Sequence, residues 1–249
     1  MNGDRDSVEP DPEPGDVYGS RDWSEDGIFA VIDQEFRKDI LPHCYGDEWL
    51  ALSMKKVDGM TTPRPDRCYG LEPDWIPGPK GVQLNAELQI LAEACPHISY
   101  PFFLIEGKSN NGSKIDAQNQ ARRGGAGLVN AARQLLAKIG ELPVIDDGVD
   151  DRNFVFSATV YPGGMGIWVH WAELEDGLPL FHMNLLKSIA LDDPQQIPES
   201  RRVVNNIMCW GWDLKARRLT ELNKKMYAWQ VRETARIAGG KSSEGSREE

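Results

Sequence analysis

The segment that decides the fold is Tyr100-Pro101-Phe102-Phe103-Leu104-Ile105-Glu106-Gly107-Lys108. Its apolar part is too short for a typical helix and is apolar at both odd and even positions, which is typical of a strand buried on both faces. A turn is expected at 109–112, and a long helical pattern covers residues 115–139. The segment therefore predicts a buried central strand that leads into a helix.

Two charged residues stand where this apolar strand ends. Glu106 and Lys108 are two positions apart, so their side chains point to the same face of a strand. A carboxylate there can bind a hard cation such as Mg²⁺, and a lysine can hold an attacking water and stabilise developing negative charge. One carboxylate is too few for a stable metal site, so a second is expected from Pro65-Asp66 or from Pro73-Asp74.

The rest of the chain reads as further helices and strands. A glycine cluster at 124–127 interrupts the long helical pattern and predicts either a break or a close contact between helix and sheet. The other expected elements are helices near 28–36, 82–95, 199–210 and 213–237, and strands at 153–161, 165–174 and 178–191.

The charge of the chain is unevenly distributed. Its 249 residues contain 28 Lys and Arg and 39 Asp and Glu, a net charge of −11. Residues 1–26 alone carry −7, and 1–22 are expected to be a disordered acidic tail. A single domain is predicted over 23–237, with a second disordered tail over 238–249. The acidic balance argues against general coating of nucleic acid, although residues 198–237 are locally basic and are expected to favour a salt-sensitive contact.

Composition and cysteine spacing also indicate the cellular compartment in which the protein is expected. No run of 18 apolar residues exists, so no membrane partner is expected, and the acidic start lacks the apolar core of a secretory signal. The four cysteines are far apart and form no C-x-x-C pair, which indicates reduced thiols in an intracellular protein of the nucleus or cytoplasm. The histidines show no zinc-binding spacing.

Three segments together resemble the PD-(D/E)XK nuclease superfamily, also called restriction-endonuclease-like, and within it they look like fungal nuclease-like domains. They are residues 63–70, residues 100–108 and Ala117-Gln118-Asn119-Gln120-Ala121. The resemblance covers roughly 28–230. It implies an α/β fold with a mixed central sheet flanked by helices. The gap of 39 residues between Asp66 and Glu106 is longer than the superfamily usually has, so the helix at 82–95 is expected to be an insertion between strands.

The resemblance also implies roles for individual residues. Asp66 and Glu106 match the metal-binding carboxylates. Asp66 is preferred because an extended stretch follows it, and Asp74 is the alternative. Lys108 matches the catalytic lysine. The carbonyl of Gly107 is a possible further metal ligand.

The helical elements supply the remaining roles that the resemblance implies. The superfamily's helical glutamine maps onto Gln120 or Gln118, and Glu35 is the candidate for an additional carboxylate from the first helix. Arg122 and Arg123 are interpreted either as phosphate contacts or, more simply, as a solvated helix face.

The function that the resemblance implies is hydrolysis of phosphodiester bonds with Mg²⁺ or Mn²⁺, on nucleic acid, with DNA preferred over RNA as the expectation. The alternative is a nuclease-like fold without catalysis that binds nucleic acid or another protein. A structural protein with a chance Glu-x-Lys match is the third interpretation. The sequence leaves open the choice between DNA and RNA, strandedness, sequence preference, whether the site is catalytically active, and oligomeric state.

Overall fold

The computed structural model describes residues 43–45, 63–71, 84–93, 98–108, 112–141 and 154–244. The expected helix at 28–36, Glu35 and Asp74 lie outside the described residues, as do the expected tail 1–22 and the end of the chain after Glu244.

Six strands form one mixed sheet whose spatial order follows the chain, β1 to β6. Neighbouring strands are antiparallel except β3 and β4, which are parallel. The strands are β1 (His43–Tyr45), β2 (Arg67–Leu71), β3 (Ser99–Gly107), β4 (Val155–Tyr161), β5 (Gly164–Glu175) and β6 (Leu178–Ala190).

In the described ranges, four helices and one π-helical turn flank this sheet. They are α1 (Ala86–Ala92), α2 (Lys114–Lys138), α3 (Ile197–Trp210), the π-helical turn (Gly211–Lys215) and α4 (Ala216–Glu244). The α/β fold with a mixed central sheet flanked by helices is therefore confirmed. Helix α4 continues beyond residue 237, where the sequence placed the end of the domain. No helix in the described parts of the chain is long and apolar enough to cross a membrane.

The central strand is the one that the sequence predicted. All nine residues of β3 are buried, and the strand lies between β2 and β4. Helix α1 lies between β2 and β3 in the chain, as expected of an insertion, but it is shorter than the predicted 82–95. The helix begins after Asn85, its N-cap residue, whose side chain accepts a hydrogen bond from the backbone N–H of Leu88 at 2.9 Å.

The two faces of the sheet have different cores. One apolar cluster joins Leu104 of β3 and Val155 of β4 to Ala121 and Leu128 of α2. The larger cluster contains Phe103 and Ile105 of β3 on the other face, with further side chains from α1, α3, α4 and the C-terminal end of α2. Because side chains alternate along a strand, Glu106 and Lys108 belong to the face of Leu104, which α2 covers. This face is called the α2 face below.

Helix α2 runs through the glycine cluster without a break, and the second of the two predicted outcomes, a close helix–sheet contact, is confirmed. A Cβ atom added at Gly125 would lie 2.2 Å from Nδ1 of His170 on β5. The His170 ring is 1% exposed, and its Nε2 lies 2.8 Å from the hydroxyl oxygen of Ser157 on β4. Glycine at position 125 is therefore what allows α2 to approach the sheet this closely.

We expect Gly125→Ala to destabilise the protein, although glycine to alanine normally stabilises a helix interior by about 1 kcal/mol. The added methyl group overlaps the His170 ring, and overpacking of this kind costs about 1 to 3 kcal/mol. Urea unfolding of the two proteins measures the difference. In a His170→Ala background the same substitution should become neutral or stabilising, and a more stable Gly125→Ala in the natural background would contradict the packing.

Candidate functional site

Pairing of β2 with β3 brings Asp66 and Glu106 to the same end of the sheet. The strands are antiparallel with Arg67 opposite Ile105, so Asp66, just before β2, comes next to the end of β3. The backbone N–H of Gly107 donates a hydrogen bond to Oδ2 of Asp66 at 2.6 Å. Asp66 is two residues before Cys68, which belongs to the apolar cluster on the α2 face, so the Asp66 side chain is expected on that same face. The structure thus brings together the carboxylates that the sequence singled out.

Glu106 is a buried acid. Its residue is 1% exposed, and its Oε2 atom is buried without a hydrogen-bond partner among the described residues. Burial, and then the negative charge of Asp66, raise the pKa of Glu106 to about 8, while Lys108 and Arg123 act in the opposite direction. An unpartnered buried carboxylate oxygen is costly, so this position is not explained by stability.

The backbone of Gly107 offers a further oxygen at the same place. Its N–H points to Asp66, whereas the next amide, that of Lys108, donates to the carbonyl of Val160 on β4 at 2.8 Å. In an extended strand the N–H and C=O of one residue point to the same side. The Gly107 carbonyl therefore points towards the Asp66 side of β3, as the expected role of a metal ligand requires.

Lys108 lies just after β3 and is half-buried. A Cβ atom added at Gly112 would lie 2.7 Å from Cβ and 2.9 Å from Cδ of Lys108. The aliphatic part of the lysine thus packs directly on the backbone of the loop before α2. The sequence did not identify Gly112 as a positioning residue, because this contact depends on the path of the loop.

Helix α2 adds Gln120 and Arg123 to the site. Gln120 is half-buried, and its Oε1 is buried and accepts no hydrogen bond from the described part of the chain. Arg123 is three residues further on, on the same helix face. Its charge lowers the pKa of Glu106, which places it near that carboxylate. Gln118 lies on nearly the opposite side of the helix from Gln120, so Gln120 is the better match to the expected glutamine.

Arg123 is the functional candidate that sequence reasoning undervalued. The simpler interpretation, a solvated face, fits Arg122, which is exposed, but not Arg123, whose Nε atom is buried. The signal that could have separated the two is spacing, because only Arg123 is one helical turn from Gln120.

Within the described ranges, no group of three or more His, Cys, Asp or Glu side chains could hold a metal ion. The oxygen donors that come together are the carboxylates of Asp66 and Glu106, together with the Gly107 carbonyl. Hard divalent cations such as Mg²⁺ use one or two carboxylates and fill the remaining positions with water or substrate oxygens. This donor set fits such a cation.

A model of the family described as "Domain of unknown function (DUF7924)" matches residues 18–222, and the chain belongs to this family. Comparisons with curated proteins and with solved structures gave no match.

The raised pKa of Glu106 predicts how stability depends on pH in the absence of divalent cations. Between the unfolded pKa of 4.5 and the folded value of about 8, the folded protein holds more protons than the unfolded chain. The Glu106 contribution to the free energy of unfolding must therefore fall as pH rises through this window, by at most about 1.4 kcal/mol per pH unit.

Urea unfolding of the natural protein and of Glu106→Gln, in EDTA from pH 5 to pH 8.5, measures the contribution of Glu106 to the free energy of unfolding. His170 also titrates, since burial lowers its pKa to about 4, but it contributes equally to both proteins and cancels in the difference. The glutamine variant should gain relative stability with rising pH, and parallel pH profiles would show that Glu106 is not a proton-binding buried acid.

Proposed function

We propose that this protein is a metal-dependent nuclease that hydrolyses phosphodiester bonds of nucleic acid at the site formed by Asp66, Glu106 and Lys108. The observation that carries the proposal is the buried Glu106 carboxylate, with an unpartnered oxygen, beside a second carboxylate at the end of the central strand. The resemblance of this segment to the PD-(D/E)XK superfamily gives the same reaction class.

A divalent cation is the group that would remove the cost of this arrangement. Two neighbouring carboxylates in a buried position repel one another, and one of them is held protonated unless a positive charge is present. Asp66, Glu106 and the Gly107 carbonyl would hold Mg²⁺ or Mn²⁺. When bound, such a cation polarises a phosphoryl oxygen and lowers the pKa of a bound water.

The side chains around the carboxylates have distinct roles in the proposal. Lys108 points to the same face as Glu106, so its ammonium group orients a water molecule and stabilises the negative charge that grows on the phosphate. Gln120 offers the unpartnered Oε1 as a hydrogen-bond acceptor for that water. Arg123 provides a fixed positive charge beside Glu106 and can contact a phosphate oxygen.

Lys114, the first residue of α2, suggests where the phosphate backbone would run. The ammonium nitrogen of Lys114 lies 5.0 Å from the centre of the Tyr161 ring. Tyr161 directly follows Val160, whose carbonyl accepts the hydrogen bond from the Lys108 amide. The ring packs on the hairpin backbone, because a Cβ atom at Gly164 would lie 2.6 Å from it. We infer that Lys108 and Lys114, which both border the end of β4, provide positive charge at one edge of the site.

The basic helices at the other end of the chain are less suited to this contact than their composition suggested. In α3 and α4 the cations are often paired with carboxylates one turn away: Arg202 with Glu199, Lys224 with Glu221, and Arg236 with Glu233. These helices also contribute to the larger core on the face opposite α2. We therefore place the substrate at the Lys108 edge.

The purified protein should nick or degrade a nucleic acid substrate in Mg²⁺ or Mn²⁺, and EDTA should stop the reaction. Lys108→Ala should lower the rate by about two orders of magnitude, as expected for the loss of one strong transition-state donor. Glu106→Gln should abolish metal-dependent cleavage and also the stabilisation by Mg²⁺ in a thermal unfolding experiment. Gel assays with single- and double-stranded DNA and RNA measure the rates.

Lys187→Ala is the matched control, because Lys187 is an exposed lysine on β6 that faces Glu199 rather than the site. It should leave the rate unchanged. Activity that survives both Lys108→Ala and Glu106→Ala would belong to a contaminant. Nucleic-acid binding without cleavage of any substrate would favour the alternative function, a nuclease-like binding module.

Substrate binding should depend on Lys114 but not on Lys138, a lysine at the other end of the same helix that also lies over an aromatic ring, 5.3 Å from the centre of Trp229. Lys114→Gln should weaken binding of a labelled oligonucleotide and reduce the slope of log affinity against log salt by about one. Fluorescence anisotropy in the Lys108→Gln background, in which we expect cleavage to be about two orders of magnitude slower, measures both quantities. Equal effects of Lys114→Gln and Lys138→Gln would remove Lys114 from the binding surface.

A further inference from the structure

Exposed apolar side chains are concentrated on one part of the molecule, the hairpin of β5 and β6. Nine large apolar side chains are exposed among the described residues, and three of them lie on helices. The other six all belong to this hairpin: Leu174, Leu178, Leu180, Phe181, Leu185 and Leu186. We call these six residues the hairpin patch. Their exposed fractions range from 37% to 71%, which is far more than a buried core strand shows.

The hairpin patch lies on the outer edge of the sheet. Strand β6 is hydrogen-bonded to β5 on one side, and no strand in the described ranges pairs with its other side. A long edge with unpaired N–H and C=O groups is a template for pairing with another strand. Proteins usually protect such an edge with charges, prolines or irregular pairing.

This edge has little protection over its central part. Lys187 is the one Lys, Arg, Asp or Glu residue in β6, and its ammonium group is 3.3 Å from Glu199. Pro179 stands near the start of the strand, and the pairing with β5 is irregular around Leu186. Between these two interruptions, residues 180–185 form a regular edge without a formal charge at neutral pH, apart from His182.

We propose that β6 pairs with β6 of a second copy of this chain, antiparallel and about a two-fold axis, so that the two sheets become continuous. A pairing centred on Met183 sets Phe181 opposite Leu185 of the partner subunit, and both positions lie on the α2 face. A two-fold contact uses the same patch on both copies, so it covers both exposed edges at once and cannot grow into a fibre.

The available area suits a second copy. The five patch residues on β6 expose on the order of 450 Å² of apolar surface in each copy, so a symmetric pair approaches the size of a specific interface before backbone pairing is added. The lack of strong charge in residues 180–185 also favours self-pairing, because two copies of a charged strand would repel one another.

Size-exclusion chromatography with light scattering tests the proposal at micromolar concentration. Reductant must be present, because Cys209 is exposed and could cross-link the chains. The natural protein should have twice the monomer mass of 27.9 kDa, and Phe181→Lys/Leu185→Lys should have half the natural mass. Val231→Lys is the matched control, since Val231 is a 65% exposed apolar residue on α4, and it should stay dimeric.

Hydrogen exchange of the unaltered protein supplies a second measurement that needs no variant. The amides of 180–185 should exchange several-fold more slowly at high protein concentration than at low concentration, whereas the amides of α4 should not change. A natural protein of 27.9 kDa with concentration-independent exchange would overturn the proposal and leave the edge to a different protein. A dimer whose mass the double substitution does not change would also overturn it.

Discussion

The cost of burying the Glu106 carboxylate is the constraint on which the arrangement of the site depends. A strand of nine buried residues ends in an acid that has lost its hydration, next to another acid and with one oxygen unpartnered. Several kcal/mol are at stake for an ionised group in such a position. A fold selected for stability alone would place an apolar or hydrogen-bonded residue here. The proposed function accounts for the acid at this position, because a bound divalent cation would compensate its charge.

The neighbouring contacts hold this unfavourable arrangement in place. The Gly107 amide fixes Asp66 by a charge-assisted hydrogen bond, and Gly112 leaves room for the stem of Lys108. On the same α2 face, Gly125 lets α2 approach His170 closely. Burial keeps the His170 ring neutral, and the ring is hydrogen-bonded to Ser157. The same close approach brings Gln120 and Arg123, on the turn before Gly125, down to the level of the carboxylates. Glycines at positions 112 and 125 therefore leave the space in which the polar groups converge.

The local sequence pattern was sufficient to predict the central strand and the two charged residues at its end. Alternation along β3 predicted that Glu106 and Lys108 share a face, and the extended residues after Asp66 predicted its strand. Arg123 could not be separated from Arg122 with certainty, because its proximity to Glu106 arises from the docking of α2 on the sheet. The sequence could not predict the solvent exposure of β6 either. A strand rich in leucine has the same pattern whether another layer covers it or solvent does, and only the strand order decides which applies.

Charge placement reconciles the acidic chain with the polyanionic substrate that we propose. Net charge governs long-range attraction, but contact affinity depends on the few cations that reach phosphate groups within a Debye length of about 10 Å. In this fold Lys108, Lys114 and Arg123 belong to the end of β3 and the first turns of α2, while many cations of α3 and α4 are neutralised by adjacent carboxylates. Under the proposed function, such a small basic edge on an acidic body would bind nucleic acid at that edge and only weakly elsewhere. Under the proposed function, binding at the carboxylates depends on a divalent cation, because without it Glu106 is held protonated and Asp66 repels the phosphate that Lys108 attracts.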